Sequence, residues 1–440
     1  MKNISRRGFL KSGAVAALGI SAMPKLVMAE KKPDKTVRIG IVGTGVRGVE
    51  LMSILLEFES VEIIALCDLF ENKARNAANL CKKAGKKYPT IYCKDENTYR
   101  EMLDKEKFDA IIIATYWQSH TPIALYAINN GICAGIEVPM ALTVDDIWKL
   151  LEASEKTGVP FMMLENWSFR KDNLALLNMK RLGKFGEIVH CHCAHSHETL
   201  DYWFFDFETG EKLWPAEYLL KYNRDQYPTH SVGPVLSWMD INHGDVFTEI
   251  FSTATASRGI NDFFKRKFGE DHPNAKLNFR QGDIVTSLLK TKMGKTVVIN
   301  YDMQLPRPYS NRWLLQGTLG VYDEEKESIY LVDTNSGYHK WDFHLWEPWK
   351  RFEKKYKHKW WQKDYSSGSH GGADKVMLIE FISAVRIKGP MPIDVYDSAV
   401  MTAIIELSGI SIEKNAPVPF PDFTRGKWQT NKPYFALDKT

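Results

Sequence analysis

The stretch VRIGIVGTGVRG, residues 37–48, constrains this 440-residue chain more than any other. An apolar, β-rich run leads straight into Gly43-x-Gly45-x-x-Gly48, and VELMSILLEF then spaces its apolar residues as a helix does. Strand, glycine turn and helix in that order build a dinucleotide site. The glycines allow a tight turn and close backbone approach, and the helix N-terminus faces the pyrophosphate. VEIIALCD (61–68) reads as the next strand and ends in Asp68, 20 residues beyond Gly48. A carboxylate there accepts hydrogen bonds from the adenosine ribose hydroxyls and repels a 2′-phosphate, which favours NAD over NADP. Arg47 pulls the other way, because an arginine in the loop could meet a phosphate. FDAIIIAT (108–115) and ICAGIEV (132–138) are further continuous apolar strands, with helical patterns at 70–84 and about 121–130. The alternation predicts an α/β fold, a doubly wound parallel sheet forming a Rossmann domain over 35–160.

The pattern changes after about residue 160. RKDNLALLNMKRLG predicts one more helix ahead of EIVHCHCAHSHE. In DIVTSLLKTKMGKTVVINYDMQ (283–304), two strands flank KMGK as a hairpin turn. Residues 161–440 are therefore expected to form a C-terminal α+β domain with a mostly antiparallel sheet. WKRFEKKYKHKWWQK (349–363) is expected to be a solvated loop or short helix.

HCHCAHSHE (190–198) packs two cysteines and four histidines into nine positions and invites a zinc reading. On a strand, alternate side chains share a face at a spacing of about 6.6 Å. Cys191, Cys193, His195 and His197 would then lie on one face, with His190, His192 and Ser196 on the other. Cys191 and His197 would be about 20 Å apart, so one tetrahedral ion cannot gather all four. The chain offers no CxxC or HExxH partner, and the stretch reads as pocket wall with no metal.

The N-terminus reads as an export signal over residues 1–29. SRRGFLK carries adjacent arginines, an apolar stretch follows to about Met23, and Val27-Met28-Ala29 resembles a cleavage site, the twin-arginine pattern. The mature chain is then expected to be periplasmic or secreted, without a membrane anchor, since no cysteine lies near the cleavage point. Removing 1–29 takes five of 58 basic residues and none of 54 acidic ones, which leaves a net charge of −1 and no basic surplus for a nucleic-acid partner. Most of the six cysteines sit in apolar runs and read as buried thiols.

Longer motifs carry a family resemblance. IGIVGTGVRG, GIEVPMALT and GVPFMMLENWSFRKDNLALLNMKRLGKFGEIVH resemble the Gfo/Idh/MocA oxidoreductase superfamily. QYPTHSVGPV, MDINHGD, RPYSNRWLLQGTLG, PMPIDVYDSAVMTA and PVPFPDFTRGKWQTNKPYFALDK resemble glycoside hydrolase family 109, the NAD-dependent α-N-acetylgalactosaminidases. Carried over by motif, NAD contacts fall on Val46, Arg47 and Asp68, on Trp117, Gln118, Ser119 and His120, on Glu137 and Val138, and on Asn166. Substrate contacts fall on His195, on Tyr227, Pro228, Thr229 and His230, and on Tyr309, with His230 and Tyr309 the leading catalytic candidates. Where most of the superfamily has a proton-relaying lysine in an E-K-P motif, Val138 stands here, as in the glycosidase branch. Open sheets in the superfamily often mediate dimers, so a homo-oligomer is compatible with the resemblance.

The resemblance implies hydrolysis with NAD recycled: oxidation at C3 of the sugar, elimination across C1–C2, water addition and re-reduction. That chemistry needs one base near the C3 hydroxyl, another near C2, and donors for the enolate. Three departures bear on it. Phe169 replaces a family tyrosine, His195 replaces another, and LWPAEYLLKYNRDQ lacks the family's Trp-Arg pair. His195 is one candidate for the missing proton acceptor. An NAD-dependent sugar oxidoreductase producing a 3-keto sugar is the alternative reading. A glycan-binding protein that keeps NAD as a structural ligand is the third.

Overall fold

Six short parallel strands carry the N-terminal half: β1 Val37–Val42, β2 Val61–Cys67, β3 Thr90–Tyr92, β4 Ala110–Ile113, β5 Cys133–Ile136 and β6 Phe161–Met163, in the order β3-β2-β1-β4-β5-β6. The computed structural model describes residues 35–332, 345–366 and 368–437, so the expected signal segment 1–29 lies outside the described residues. Helices cover both faces of a sheet of this kind, which is why β1, β4 and β5 read as continuous apolar runs. The strand order reverses between β1 and β4, and the crevice beyond their carboxyl ends is where an open α/β sheet binds its ligand.

The sheet corrects two boundaries. It does not stop at 160, because β6 hydrogen-bonds β5 in parallel through Ala134–Ile136 and Phe161–Met163. The helix expected at 121–130 starts earlier, at Trp117, and runs to Asn129 with Pro122 inside it. That start puts Trp117, Gln118, Ser119 and His120 on the first turn.

The second sheet has nine strands among the described residues. In chain order they are β7 Ile188–Ser196, β8 Phe247–Ala254, β9 Val285–Thr291, β10 Thr296–Asp302, β11 Leu314–Gly317, β12 Gly320–Asp323, β13 Ser328–Leu331, β14 Glu347–Pro348 and β15 Val418–Pro419. All its pairings are antiparallel except β7 with β10. The expected hairpin at KMGK joins β9 to β10, and Gly294 takes the left-handed φ of +85° there. On β7 the alternation holds: Cys191, Cys193 and His195 are buried, while His190 and His192 are half-buried and meet Thr296 Oγ1 and Asn300 Oδ1, each at 2.8 Å. Among the described residues, no group of three or more His, Cys, Asp or Glu side chains could hold a metal ion. All six cysteines are free thiols.

Two late helices return the chain to the first sheet. Ala373–Ile387 packs on Val46–Leu56 and β1. Val395–Lys414 packs on β6, β8 and the helix Val144–Thr157. The second is apolar and long enough to cross a membrane, yet most of it is buried, as in a core helix. Its small hydroxyl residues allow close approach and take up backbone donors. Ser398 Oγ accepts from the Met163 N–H at 3.2 Å, Ser408 from Asp225 at 3.0 Å and Ser411 from Ser252 at 2.8 Å. The basic-aromatic stretch forms a short helix, Trp349–Lys355, but it is solvated on one side only. Trp349, Phe352 and Trp361 are buried, and Trp361 Nε1 donates to the Phe169 carbonyl at 2.8 Å.

Phe381 is the clearest tie between the two halves: it is fully buried, and its Cζ lies 3.1 Å from where a Gly135 Cβ would be. Phe381→Ala is expected to lower unfolding free energy by about 3–5 kcal/mol, the usual cost of emptying a large buried aromatic site. Denaturant unfolding checks this, and a cost under about 1 kcal/mol would mean the helix is not anchored there.

Candidate active site

The glycine turn assigns each of its glycines a different job. Gly43 has φ +92°, and a Cβ there would sit 2.3 Å from the Ala114 carbonyl oxygen. A Cβ at Gly48 would sit 1.9 Å from the Gly43 oxygen, so only glycine lets this helix pack so closely. At Gly45 a Cβ would meet nothing within 4 Å. Gly45 also caps the helix Val46–Leu56 without a side-chain hydrogen bond, and Val46 beside it is 82% exposed. Uncapped N–H groups next to an open backbone are what a pyrophosphate requires, so these residues fit a dinucleotide.

Asp68 stands at the end of β2 and is braced to the same turn. Its Oδ2 accepts from the Thr44 N–H at 2.6 Å and Thr44 Oγ1 at 2.8 Å, and its Oδ1 from the Phe70 N–H at 2.9 Å. A carboxylate has about four acceptor sites, which leaves room for ribose hydroxyls.

Arg47 points elsewhere. Its Nε donates to Glu137 Oε1 at 2.7 Å, and its two terminal nitrogens grip Asp374 at 2.8 Å each. Asp374, fully buried at the start of Ala373–Ile387, also accepts from Asn166 Nδ2 at 2.9 Å and His370 Nδ1 at 2.7 Å. Burial alone would raise the pKa of Asp374, but the hydrogen bonds from Arg47 and His370 hold it well below the usual carboxylate range. Arg47 is thus engaged by three acids, Glu50 included, and its side chain is not free for a 2′-phosphate.

The turn after β4 divides its four expected contacts. Trp117 is buried among Trp203, Trp214, Tyr218 and Tyr227, and lies nearly parallel to Tyr227 at 6.1 Å and 26°. Gln118 is exposed and accepts from the Tyr218 hydroxyl at 2.9 Å. Ser119 Oγ donates to the Tyr116 carbonyl at 2.7 Å. His120 is buried with one ring nitrogen 2.8 Å from the Pro139 oxygen and the other 3.1 Å from the Thr115 oxygen. Burial keeps it neutral below the ordinary histidine range, and it braces the loop after Glu137 and Val138.

Across from this crevice the expected sugar residues converge. His195, from β7, has its ring 5.3 Å from Tyr227, 5.5 Å from His230 and 5.8 Å from Tyr309. Pro228 caps the helix Thr229–Met239, which puts Thr229 and His230 on its first turn. His230 Nδ1 donates to Glu165 Oε1 at 2.9 Å. Glu165 is fully buried just after β6 and also takes the Trp167 and Ser168 N–H groups and the Ser168 hydroxyl. Gly233, one turn beyond His230, makes room for that carboxylate, since a Cβ there would sit 2.3 Å from Glu165 Oε2. Trp167 follows, its indole 5.8 Å from His230, 6.1 Å from Tyr309 and 5.5 Å from His370.

The environment sorts these groups chemically. Burial, then the neighbouring His230 and His197, hold His195 well below the ordinary histidine range, and its buried Nδ1 has no hydrogen-bond partner. Burial pushes both Tyr227 and Tyr309 above the ordinary phenol range, so they stay neutral and act as donors. Tyr309 lends its proton to Asn311 Oδ1 at 2.8 Å and is 39% exposed at the rim. His230, its Nδ1 proton fixed by a carboxylate, presents its other nitrogen as an acceptor.

Phe169 corrects one expectation. Its ring is not in the pocket: it is fully buried, stacks on Trp360 at 5.7 Å and meets Phe435 edge-on at 5.3 Å. Sequence reasoning also passed over Glu165, Asp374 and His370. Glu165 was within sight, directly before Asn166 in LEN.

A dinucleotide crevice facing a pocket of histidines, phenols and indoles, with no lysine relay at Val138, defines an NAD-binding protein that works on a hydroxylated small substrate. Known proteins narrow this. The oxidoreductase family model, NAD-binding Rossmann fold, matches residues 37–165, and the glycosyl hydrolase 109 C-terminal domain matches residues 169–430. The α-N-acetylgalactosaminidase of Tannerella forsythia is 36% identical over 98% of this chain and 99% of its own length. A glycosyl hydrolase family 109 protein of Stenotrophomonas maltophilia is 35% identical over 99% of each. Among solved structures, levoglucosan dehydrogenase with NADH and L-sorbose has the same fold (TM-score 0.66, 14% identity, 88% of this chain and 100% of that one). So does myo-inositol 2-dehydrogenase from Lactobacillus plantarum (TM-score 0.62, 14% identity, 88% and 100%). The chain belongs to glycosyl hydrolase family 109 and is a glycoside hydrolase that uses NAD.

Glu165→Gln keeps the shape and removes the charge behind His230. It is expected to cut kcat by about 100-fold with KM within a few-fold, the scale of a positioned proton-transfer group. Steady-state hydrolysis checks this, and an unchanged kcat would remove Glu165 from the mechanism.

A second prediction concerns pH. Asp225 is buried below the pocket, its Oδ1 takes the Tyr227 N–H at 3.0 Å, and burial raises it from 3.8 to about 7. Between those values the native state keeps a proton that the unfolded chain has lost. Stability from this group therefore falls as pH rises, by about 1.4 kcal/mol per unit. Asp225→Asn should gain on the parent between about pH 4 and about pH 7 in denaturation measurements and level off above; a constant difference would contradict the assignment.

Proposed function

We propose that the chain hydrolyses α-N-acetylgalactosaminides or a closely related sugar by oxidation at C3, elimination, hydration and re-reduction. The observation that carries this is the Glu165–His230 pair, grouped with His195, Tyr227 and Tyr309 and joined through Tyr227 to Trp117 of the dinucleotide domain. The name of the Tannerella forsythia relative supports the choice of sugar.

The glycine-loop amides, Asp68 and the first turn at Trp117 would hold NAD. When bound, NAD supplies a reversible hydride acceptor for C3, so the sugar is a ketone for part of each cycle and an alcohol at its end. The remaining chemistry belongs to the chain. A C3 ketone acidifies the C2 hydrogen, and the nitrogen of His230 turned away from Glu165 would take that proton. Tyr309 and Tyr227, kept neutral by burial, can donate to the enolate oxygen, and the C1 substituent leaves. Water then adds its hydroxyl at C1 and yields its other proton to the departed oxygen, and His230 returns its proton to C2. His195, neutral and unpartnered at Nδ1, is free to hydrogen-bond a sugar substituent.

Purified mature protein is expected to release nitrophenol from the α-N-acetylgalactosaminide and to lose that activity when NAD is stripped. Restored NAD should return it. Turnover unaffected by stripping would contradict the cofactor's part in the cycle, and selectivity for a different nitrophenyl sugar would reassign the substrate. Export of the folded, NAD-loaded chain by the twin-arginine pathway, with residues 1–29 removed, belongs to the same proposal. Replacing Arg6 and Arg7 with lysine should keep the precursor in the cytoplasm on fractionation, and undisturbed export would contradict it.

A further inference from the structure

A terminal sugar that turns C3 to the cofactor must send the group on C1 out of the pocket, and the rim away from the cofactor crevice is built of rings. Tyr309 stands there, 39% exposed, and His197 meets it edge-on at 5.0 Å. Tyr202 comes next, its ring 5.9 Å from His197 and its hydroxyl 3.1 Å from His197 Nδ1. Three rings thus follow one another outward from the pocket, and the outermost, Tyr202, is 56% exposed.

A single exposed tyrosine needs no explanation, but the support under this one is rigid. Tyr202 sits in a π-type turn, Leu200–Phe204, a rare local structure that gathers at functional sites. Leu200, Phe204 and Phe205 are fully buried in one apolar cluster with Ile260 and Phe264. Trp203 turns inward, 5.8 Å from Trp117 and 5.1 Å from Tyr227. Asp201 is held by Lys267 at 3.4 Å. Packing and charge fix the residues on either side, and Tyr202 is the ring presented to solvent. Burial, then Asp201, push the Tyr202 hydroxyl up to about 12, and burial holds His197 below the ordinary histidine range. The rim rings are therefore uncharged at neutral pH. Neutral ring faces with polar tips suit a neutral sugar, whose C–H face packs on an arene while its hydroxyls reach the tips.

We infer that Tyr202, with His197 and Tyr309, forms a subsite for the sugar unit on the far side of the scissile bond. The substrate is then the terminal residue of a neutral oligosaccharide, and the leaving group is itself a sugar. The inference rests on the proposed hydrolysis and adds the class of leaving group to it. No bond forms or breaks at Tyr202. A contact made equally in the bound substrate and in the transition state lowers KM and leaves kcat unchanged.

Two substrates separate the subsite from the reaction. The methyl α-glycoside has no ring beyond C1, and an α-linked disaccharide carries a neutral hexose there. The parent is expected to show a KM about 10-fold lower for the disaccharide, the upper scale of one aromatic contact. Tyr202→Ala should raise the disaccharide KM about 10-fold while kcat and the methyl-glycoside KM stay within about 2-fold. A methyl-glycoside rate that holds also shows that the variant folds. Tyr202→Phe keeps the ring, drops the hydroxyl beside His197, and should stay within about 2-fold of the parent on both substrates. Equal changes on both substrates in the alanine variant, no change on either, or a phenylalanine variant as poor as the alanine one would overturn the subsite. So would a parent with the same KM for the two substrates. If the parent cleaves neither, the hydrolytic reading falls and the subsite falls with it.

Discussion

The Arg47–Asp374 pair sets the register of everything around it. Arg47 sits on the first turn after the glycine loop, and Asp374 begins a helix more than three hundred residues later. Their two-bond contact fixes where the last part of the chain lies on the first sheet. Removing either partner would strand the other in a mostly dry site, a change that costs roughly 3–5 kcal/mol for buried ion pairs. Both oxygens of Asp374 are used, and Asn166, which shares one, stands beside Glu165. One carboxylate thus links the cofactor loop, the end of β6 and the segment carrying His370.

From that frame the pocket acquires its acid–base character through burial. The same low-dielectric surroundings that keep Tyr227 and Tyr309 protonated keep His195 uncharged. His230 and His370 each hold a carboxylate at Nδ1, which fixes their tautomer and leaves Nε2 as the acceptor. Donors and acceptors are separated by environment within one ring of aromatic side chains. An ordinary glycosidase places two carboxylates beside the scissile bond; here Glu165 and Asp374 stand behind histidines.

Much of the fold was legible because strands buried on both faces read as apolar runs and the glycine turn has strict sterics. β3 and β6 were missed because three residues, TIY or FMM, are too short to show a period. The helix Val144–Thr157 did carry signals, with Thr143 accepting from the Asp146 N–H and Gly158 closing it at φ +70°. In the site, the rings of Tyr227, His230 and Tyr309 lie within 6 Å of His195. Arg47 was recognised as a loop residue, but its acid partners were not, since one lies 327 positions away. Glu165 and His230 are 65 positions apart, and no local spacing encodes that meeting. Phe169 shows the converse: a substitution that looked like a change in the pocket faces Trp360 and Phe435 in the core.

The central claim is that glycosidic cleavage passes through loss of the C2 hydrogen. Hydrolysis of a nitrophenyl α-glycoside in deuterated water, followed by mass and proton spectra of the released sugar, tests it most directly. The account predicts deuterium at C2 of the product, with nitrophenol released and no reduced nicotinamide accumulating. Nitrophenol release with the C2 hydrogen fully retained would contradict it, and so would accumulating reduced nicotinamide over an intact glycosidic bond.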